Sequence, residues 1–366
     1  MAIEDIRIEH IPGQSNFTEG LLGLTPVLKI AGTVNFSSTK SKPIKSIKLI
    51  LVGTASCGLK LDTREPVEQS SVFLTRSADE LIGLVKQADG SVAVKKGGNE
   101  CTFEIVLSAE DMKGLPGSVE YVMSERSGEN ASKGDFVRVE YSLAVQIETM
   151  GGFMSASKKL QEMEVVDIPR YNVPSLIRSQ QTDTTVFISG ATAPLEYRVT
   201  VSRGVFSLSQ MVNFKVHHVH TIDPKATIKS VAVRIRQDTT ITVKDRKKTV
   251  HTYLASAAGK FHQEEAKVKG GKVVWVGEGN ATIDSTHVKK SNGLLAGSQV
   301  IDAFSGVKVE GLFEIQHFAE LLVVMKEGKE FKFVTPVEFL AVDEETKEWM
   351  IQNATKLGVR FAEAEE

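Results

Sequence analysis

Hydrophobic and polar side chains alternate along most of this chain. From Val137 to Glu148 it reads VRVEYSLAVQIE, with Val137, Val139, Tyr141, Leu143, Val145 and Ile147 on one side. Arg138, Glu140, Ser142, Gln146 and Glu148 fall on the other, the period-two pattern of a strand with one buried and one wet face. VLKIAGTVNF places Leu28, Ile30, Val34 and Phe36 inward by the same rule, LEYRVTV places Leu195, Tyr197, Val199 and Val201, and SVAVRI places Val231, Val233 and Ile235. Towards the end, VKVEGLFEIQHFAELLVV keeps the alternation through Val307, Val309, Phe313, Ile315 and Leu321. Turn-forming clusters (SSTKSKP, ADGS, SGENASKGD, DPKA, SNG) separate these runs. Short strands with turns between them predict an all-β protein of antiparallel sandwiches rather than a helix-covered parallel sheet.

Two segments break the pattern towards helix. Ser77-Ala78-Asp79-Glu80 is a capping box followed by Leu81, Ile82, Leu84 and Val85, which predicts one short helix in the first domain. EETKEWMIQNATKLG, residues 344–358, gathers Met350, Ile351, Ala354 and Leu357 on one side and ends at glycine, predicting a short C-terminal helix. In DIPRYNVPSL the alternation stops at two prolines, which cannot donate to a ladder. The expected organisation is a sandwich over residues 1–166, a linker over 167–176, a second sandwich over 177–341 and a helical acidic tail over 342–366.

Composition narrows the function classes. Among 366 residues, 44 basic side chains oppose 46 acidic ones, a net charge of −2, so no global field draws the chain to nucleic acid. The N-terminus MAIEDIRIEHIPGQ has no apolar core and is not read as a secretory signal. Cys57 and Cys101 form no CxxC pair, and the sequons at Asn16, Asn35, Asn130, Asn280 and Asn353 are read as chance. A cytoplasmic location is the expectation.

The candidate chemistry is sparse. KVHHVH, Lys215 to His220, holds three of the eight histidines. Strict alternation puts His218 and His220 on the face of Val212, Phe214 and Val216 and turns His217 the other way. Two ligands are fewer than zinc takes, so no metal is expected there. No GxSxG elbow, Walker loop, dinucleotide fingerprint or HExxH occurs, and His262-Gln263-Glu264-Glu265 lacks the second histidine of the last. Neither an enzyme nor a cofactor is expected. Two basic clusters are the candidate contacts for an anionic membrane or a phosphate group. Lys40, Lys42, Lys45 and Lys48 line an expected hairpin turn and the next strand; Lys244, Arg246, Lys247 and Lys248 lie in KDRKK.

The order of elements resembles the arrestin superfamily, in particular its alpha-arrestin and arrestin-like branch. VLKIAGTVNF followed by KPIKSIKLILVGTAS is similar to that family's paired strands, and LTRSADELIGLVKQ stands where visual-type arrestins carry their helix. KKGGNECTFEIVLSAEDMKGLPGSVEY resembles its Gly–x–Phe–x–Phe segment running into Leu115, Pro116, Gly117 and Ser118, and GDFVRVEYSLAVQIE resembles the strand closing the first domain. PLEYRVTVSRGVFSLSQMVNFKVHHVHT, IKSVAVRIRQ with Gln237, and VTPVEF over 334–339 are similar to successive strands of the second domain. The resemblance covers residues 3–341.

It implies two tandem immunoglobulin-like sandwiches and a non-catalytic adaptor in trafficking, endocytosis or signalling. Its implied partners are cytoplasmic segments of membrane proteins, with a peripheral place at endosomal or plasma membranes. Departures are visible: IRIEHI carries Arg7 and no adjacent lysines, and residues 342–366 carry no ubiquitin-ligase or clathrin motif. Ile168-Pro169-Arg170-Tyr171 stands where a Pro-Pro-x-Tyr ligand would need a second proline, so no WW-domain partner is expected and Tyr171 is expected to pack at the junction. The alternative class is a tandem-sandwich structural or cell-surface assembly protein.

Overall fold

The computed structural model describes residues 3–60, 67–78, 80–123, 135–151, 159–168, 170, 185–208, 210–257, 260–265, 273–283, 307–343, 347–348 and 352. In the first half the strands are β1 (Ile3–Glu9), β2 (Thr18–Glu19), β3 (Val27–Ser38), β4 (Ile44–Leu59), β5 (Val67–Ser77), β6 (Leu81–Ile82), β7 (Val85–Lys86), β8 (Val92–Ala93), β9 (Gly97–Ser108), β10 (Val119–Met123), β11 (Asp135–Thr149) and β12 (Lys159–Val166). In the second half they are β13 (Val186–Thr192), β14 (Leu195–Val201), β15 (Val205–Leu208), β16 (Met211–Thr221), β17 (Ile228–Val243), β18 (Arg246–Ser256), β19 (His262–Glu265), β20 (Val273–Thr282), β21 (Val307–Val309), β22 (Phe313–Met325) and β23 (Glu330–Asp343).

These strands form four sheets, two per half. The first half has β1-β3-β9-β6 with β2 on β3, and β10-β11-β4-β8-β7 with β12 on β11 and β5 on β4. The second has β13-β14-β16-β20-β19, and β15-β23-β22-β17-β18 with β21 on β22. Pairing is antiparallel except β15 with β23. The alternation explains the layering. Leu28, Ile30, Val34 and Phe36 of β3 meet Leu49, Leu51 and Ala55 of β4 and the odd-numbered residues from Val137 to Ile147 of β11 in one buried cluster. Each fully buried side chain of this size stabilises the fold by roughly 1.5–3 kcal/mol relative to exposure. Gly32 is required in β3, since a Cβ there would stand 2.6 Å from the Glu9 carbonyl oxygen and 2.8 Å from the Phe103 ring.

The helix expected after Ser77 does not form. Ser77 ends β5 and the Ala78 amide donates to the Leu49 carbonyl. Leu81 and Ile82 pair with Phe103 and Thr102 of β9, and Gly83 follows at φ +102°, outside helical space. Pairing with a preformed sheet overrides a capping box whose intrinsic worth is about 1 kcal/mol. At the other end, residues 347, 348 and 352 are helical, and the rest of the expected helix lies outside the described residues. Most of the 167–176 linker, with Tyr171, also lies outside them.

The chain leaving the first half is strapped down. The Ser118 amide donates to the Ile168 carbonyl at 2.9 Å and the Ile168 amide donates to Ser118 Oγ at 2.8 Å. Arg170 donates to the Leu115 carbonyl, and Tyr141 donates to that of Pro116 at 2.5 Å. Gly117 is needed for this approach, because a Cβ would stand 2.5 Å from the Arg170 nitrogen. Burial pushes the Asp167 carboxyl above its ordinary range, opposed by its hydrogen bond to Ser118.

No hydrogen-bonded ladder among the described strands joins the two halves, yet one apolar cluster does. Val205, Ile241, Val243, Val307, Leu312, Phe313, Ile315 and Leu340 belong to the same buried cluster as the first-half core. Cys57 sits at this seam, its thiol donating to the carbonyls of Thr242 at 3.5 Å and Leu312 at 3.6 Å.

Candidate functional site: the basic turn at the seam

The β17–β18 hairpin carries the KDRKK cluster. Val243 pairs with Arg246, so Lys244 and Asp245 form a two-residue turn. Lys244 adopts φ 53°, where an L-residue is disfavoured by roughly 1–2 kcal/mol. Its backbone amide is held by Gln69 Oε1 at 2.9 Å, so the turn is pinned to β5 of the first half. Alternation then turns Ile241 and Val243 into the shared core and leaves Lys244, Arg246 and Lys247 exposed.

Lys248 behaves differently from its neighbours. Its ammonium pairs with Asp135 Oδ2 on β11, and the other carboxylate oxygen accepts the Lys60 amide at 2.7 Å. Asp135 is 6% exposed and the Lys248 side chain 47%, so the pair crosses the seam with its carboxylate buried and its ammonium end reaching solvent. Beside it, Leu59, Val67 and Val243 floor a cavity of about 200 Å³ whose rim is Lys244, Asp245 and Arg246. Of the four residues expected to contact anions, Lys244 and Arg246 stand exposed at a recess built by both halves, Lys247 is exposed next to them, and Lys248, also exposed, is tied to Asp135.

The other expected cluster is arranged differently from the reading above. β3 and β4 belong to different sheets, so the segment between them is a crossover and not a hairpin. Lys40, Lys42, Lys45 and Lys48 are all exposed, and Lys45 pairs with Glu148 at 2.9 Å. Ser41 Oγ donates to the Val94 carbonyl, which brings the exposed Lys95 and Lys96 beside Lys40 and Lys42. Sequence reasoning missed those two; the adjacent pair in AVKKGG was the available signal. β4 runs from this cluster to the seam, and at 3.3 Å per residue the two basic regions lie about 45–50 Å apart. One small anion cannot bridge them.

The histidines require a correction. The register of β16 on β14 slips between Val199↔Val216 and Arg198↔His218, a β-bulge at His217. Val216 and Val219 are both buried, so the inward set changes from even to odd numbers there. His218 and His220 consequently leave the face of Phe214 and stand outside, opposite Arg198 and Glu196. Glu196 lies 3.2 Å from His220 Nε2 and 4.0 Å from His218 Nε2, while His217 bonds Thr200 Oγ1 at 2.6 Å on the same outer face. Burial first, then the positive neighbours Arg198, Lys215 and His218, hold the His217 pKa below its ordinary value. Among the described residues no group of three His, Cys, Asp or Glu side chains could hold a metal ion. His262 to Glu265 form strand β19, with His262 Nε2 2.9 Å from Glu264. Both cysteines are free and buried, and burial pushes each thiol up to about 11.

The chain matches no family model and no curated protein. No described helix is long and apolar enough to cross a membrane.

Proposed function

We propose that this protein is an arrestin-like, non-catalytic adaptor of two tandem immunoglobulin-like sandwiches that binds anionic cytoplasmic segments of membrane proteins. The observation that carries the reading is the seam recess: apolar side chains from both halves with Lys244, Asp245 and Arg246 around them and the exposed Lys247 adjacent, a net positive rim. An extended segment with an apolar residue next to acidic or phosphorylated ones fits that chemistry, the apolar group entering the recess and the charges meeting the rim. The order of strand motifs and the four sheets support the arrestin-like part of the reading. Rim cations contribute to association rate and salt dependence more than to raw affinity.

The test is fluorescence anisotropy with a labelled acidic peptide carrying one leucine, run beside liposomes of anionic lipid. The combined Lys244→Glu, Arg246→Glu, Lys247→Glu variant is expected to lose at least tenfold in peptide affinity and to flatten the salt dependence. Equal binding by variant and parent would overturn the assignment. Binding to liposomes alone, with none to peptide, would replace the peptide partner by a lipid surface.

A further inference from the structure

The outer face of the β13-β14-β16-β20-β19 sheet holds a second recess that shares no lining residue with the one at the seam. Its volume is about 410 Å³, within the range of small-molecule sites. Two cross-strand rows wall it. Thr200 of β14 pairs with Lys215 of β16, which pairs with Glu278 of β20. Two residues further along the strands, Ser202, Asn213 and Asn280 stand in the same order, with the Ser202 amide donating to the Asn213 carbonyl at 2.9 Å. The rows are roughly 7 Å apart, and Phe214 and its partner Gly279 lie between them. Phe187 of β13 continues the first row opposite Thr200 and is 51% exposed. Its carbonyl accepts from Thr335 Oγ1 at 3.4 Å, which ties its backbone to β23. The Arg198 guanidinium lies 5.8 Å from the Phe187 ring centroid and covers one side of the ring.

We propose that this recess binds a neutral saccharide, with Asn213, Asn280 and the Lys215–Glu278 pair meeting its hydroxyls and Phe187 packing against its C–H face. The side-chain amides of Asn213 and Asn280 make no hydrogen bond among the described residues, and both side chains are exposed. A planar amide offers donors beside an acceptor, the pattern that two adjacent ring hydroxyls complete by giving one bond and taking another. Lys215 Nζ donates to Glu278 Oε1 at 2.6 Å, so that pair likewise presents a donor next to an acceptor. Sugars also carry C–H groups on a ring face, and the electron-rich face of an exposed phenyl ring attracts them. Charge separates this recess from the seam. Glu278 neutralises Lys215 within the walls, whereas cations outnumber acids at the seam. His217, bonded to Thr200 and held below its ordinary pKa by burial and its positive neighbours, adds no charge at neutral pH. An apolar peptide laid in the recess would strip water from both amides without replacing it, which is costly. The recess is open to solvent, so the affinity is modest.

The test is an array of neutral oligosaccharides (glucans, mannans, galactans and chito-oligosaccharides) beside sulfated ones, probed with the whole chain, then calorimetry on the strongest responder. At least one neutral class is expected to bind, with an affinity that salt does not change. Asn213→Ala, Asn280→Ala and Phe187→Ala are each expected to weaken it by about two- to tenfold. Their melting temperatures should match the parent's, since all three side chains are exposed. The Lys244→Glu, Arg246→Glu, Lys247→Glu variant is expected to bind the saccharide as the parent does, which keeps this result separate from the peptide assay at the seam. A chain that retains no neutral saccharide overturns the proposal. So does binding that the Asn213→Ala, Asn280→Ala double variant leaves unchanged. Binding confined to sulfated saccharides and lost with added salt also overturns it, in favour of an anion site.

Discussion

His317 is buried at 2% exposure, shares a hydrogen bond with Gln237 at 2.9 Å and stacks on Phe339. Burial pushes its pKa down to about 3. In the unfolded chain the ring takes up a proton from about pH 6.5 downwards, while the folded ring stays neutral until about pH 3. Stability attributable to this group is therefore intact above pH 6.5 and falls as the solution is acidified, by up to roughly 1.4 kcal/mol per pH unit within that window. His317→Gln keeps an amide to meet Gln237 but cannot titrate. Its melting temperature should fall less between pH 7 and pH 5 than the parent's, whatever constant offset the lost stacking imposes; parallel curves would remove the assignment. At this scale the sequence was partly readable. The inward positions of β11, β14 and β17 follow from alternation alone, but the outward turn of His218 and His220 does not. A bulge inserts one residue, and in KVHHVH every choice of insertion leaves an acceptable pattern of valines.

Among the elements, the β17–β18 hairpin joins the most functions. One of its faces enters the shared core, its turn is pinned by Gln69, and its third lysine pairs with Asp135. Asp135→Asn keeps the shape but removes the charge facing Lys248. The expected cost is about 1–3 kcal/mol, with urea midpoint shifted and slope unchanged; an unaltered midpoint would show that the pair adds nothing. The hairpin itself was legible, since TTITV and its successor flank a charged turn. Its landing place was not, because Gln69 and Asp135 lie far away in sequence and carry no signal of partnership. The helix expected after Ser77 failed for a related reason: its capping box was a true local signal, overridden by pairing with β9.

For the whole molecule, the cluster shared by both halves predicts that they unfold together. Calorimetry is expected to show a single transition, with calorimetric and van't Hoff enthalpies in agreement. Leu312, 2% exposed and inside the cluster at the seam, should lower that transition without splitting it when changed to alanine, at a cost of about 2–5 kcal/mol. Two resolved transitions in the parent would mean that the halves are only tethered. The ladders of the described strands change partners between β12, ending at Val166, and β13, beginning at Val186, and nothing in the linear pattern foretold that the apolar core runs across that change.

That continuity has a consequence during synthesis. At about 5–20 residues per second, some 150 residues separate the completion of the first half from the arrival of Leu312, an interval of roughly 8–30 seconds. Until Ile241 and Val243 of β17 and finally Leu312 have been made, the end of the first half around Cys57 and Leu59, buried in the finished protein, lacks part of its cover. The nascent chain thus leaves the ribosome with one apolar end open, a binding surface for chaperones that disappears when the last strands dock.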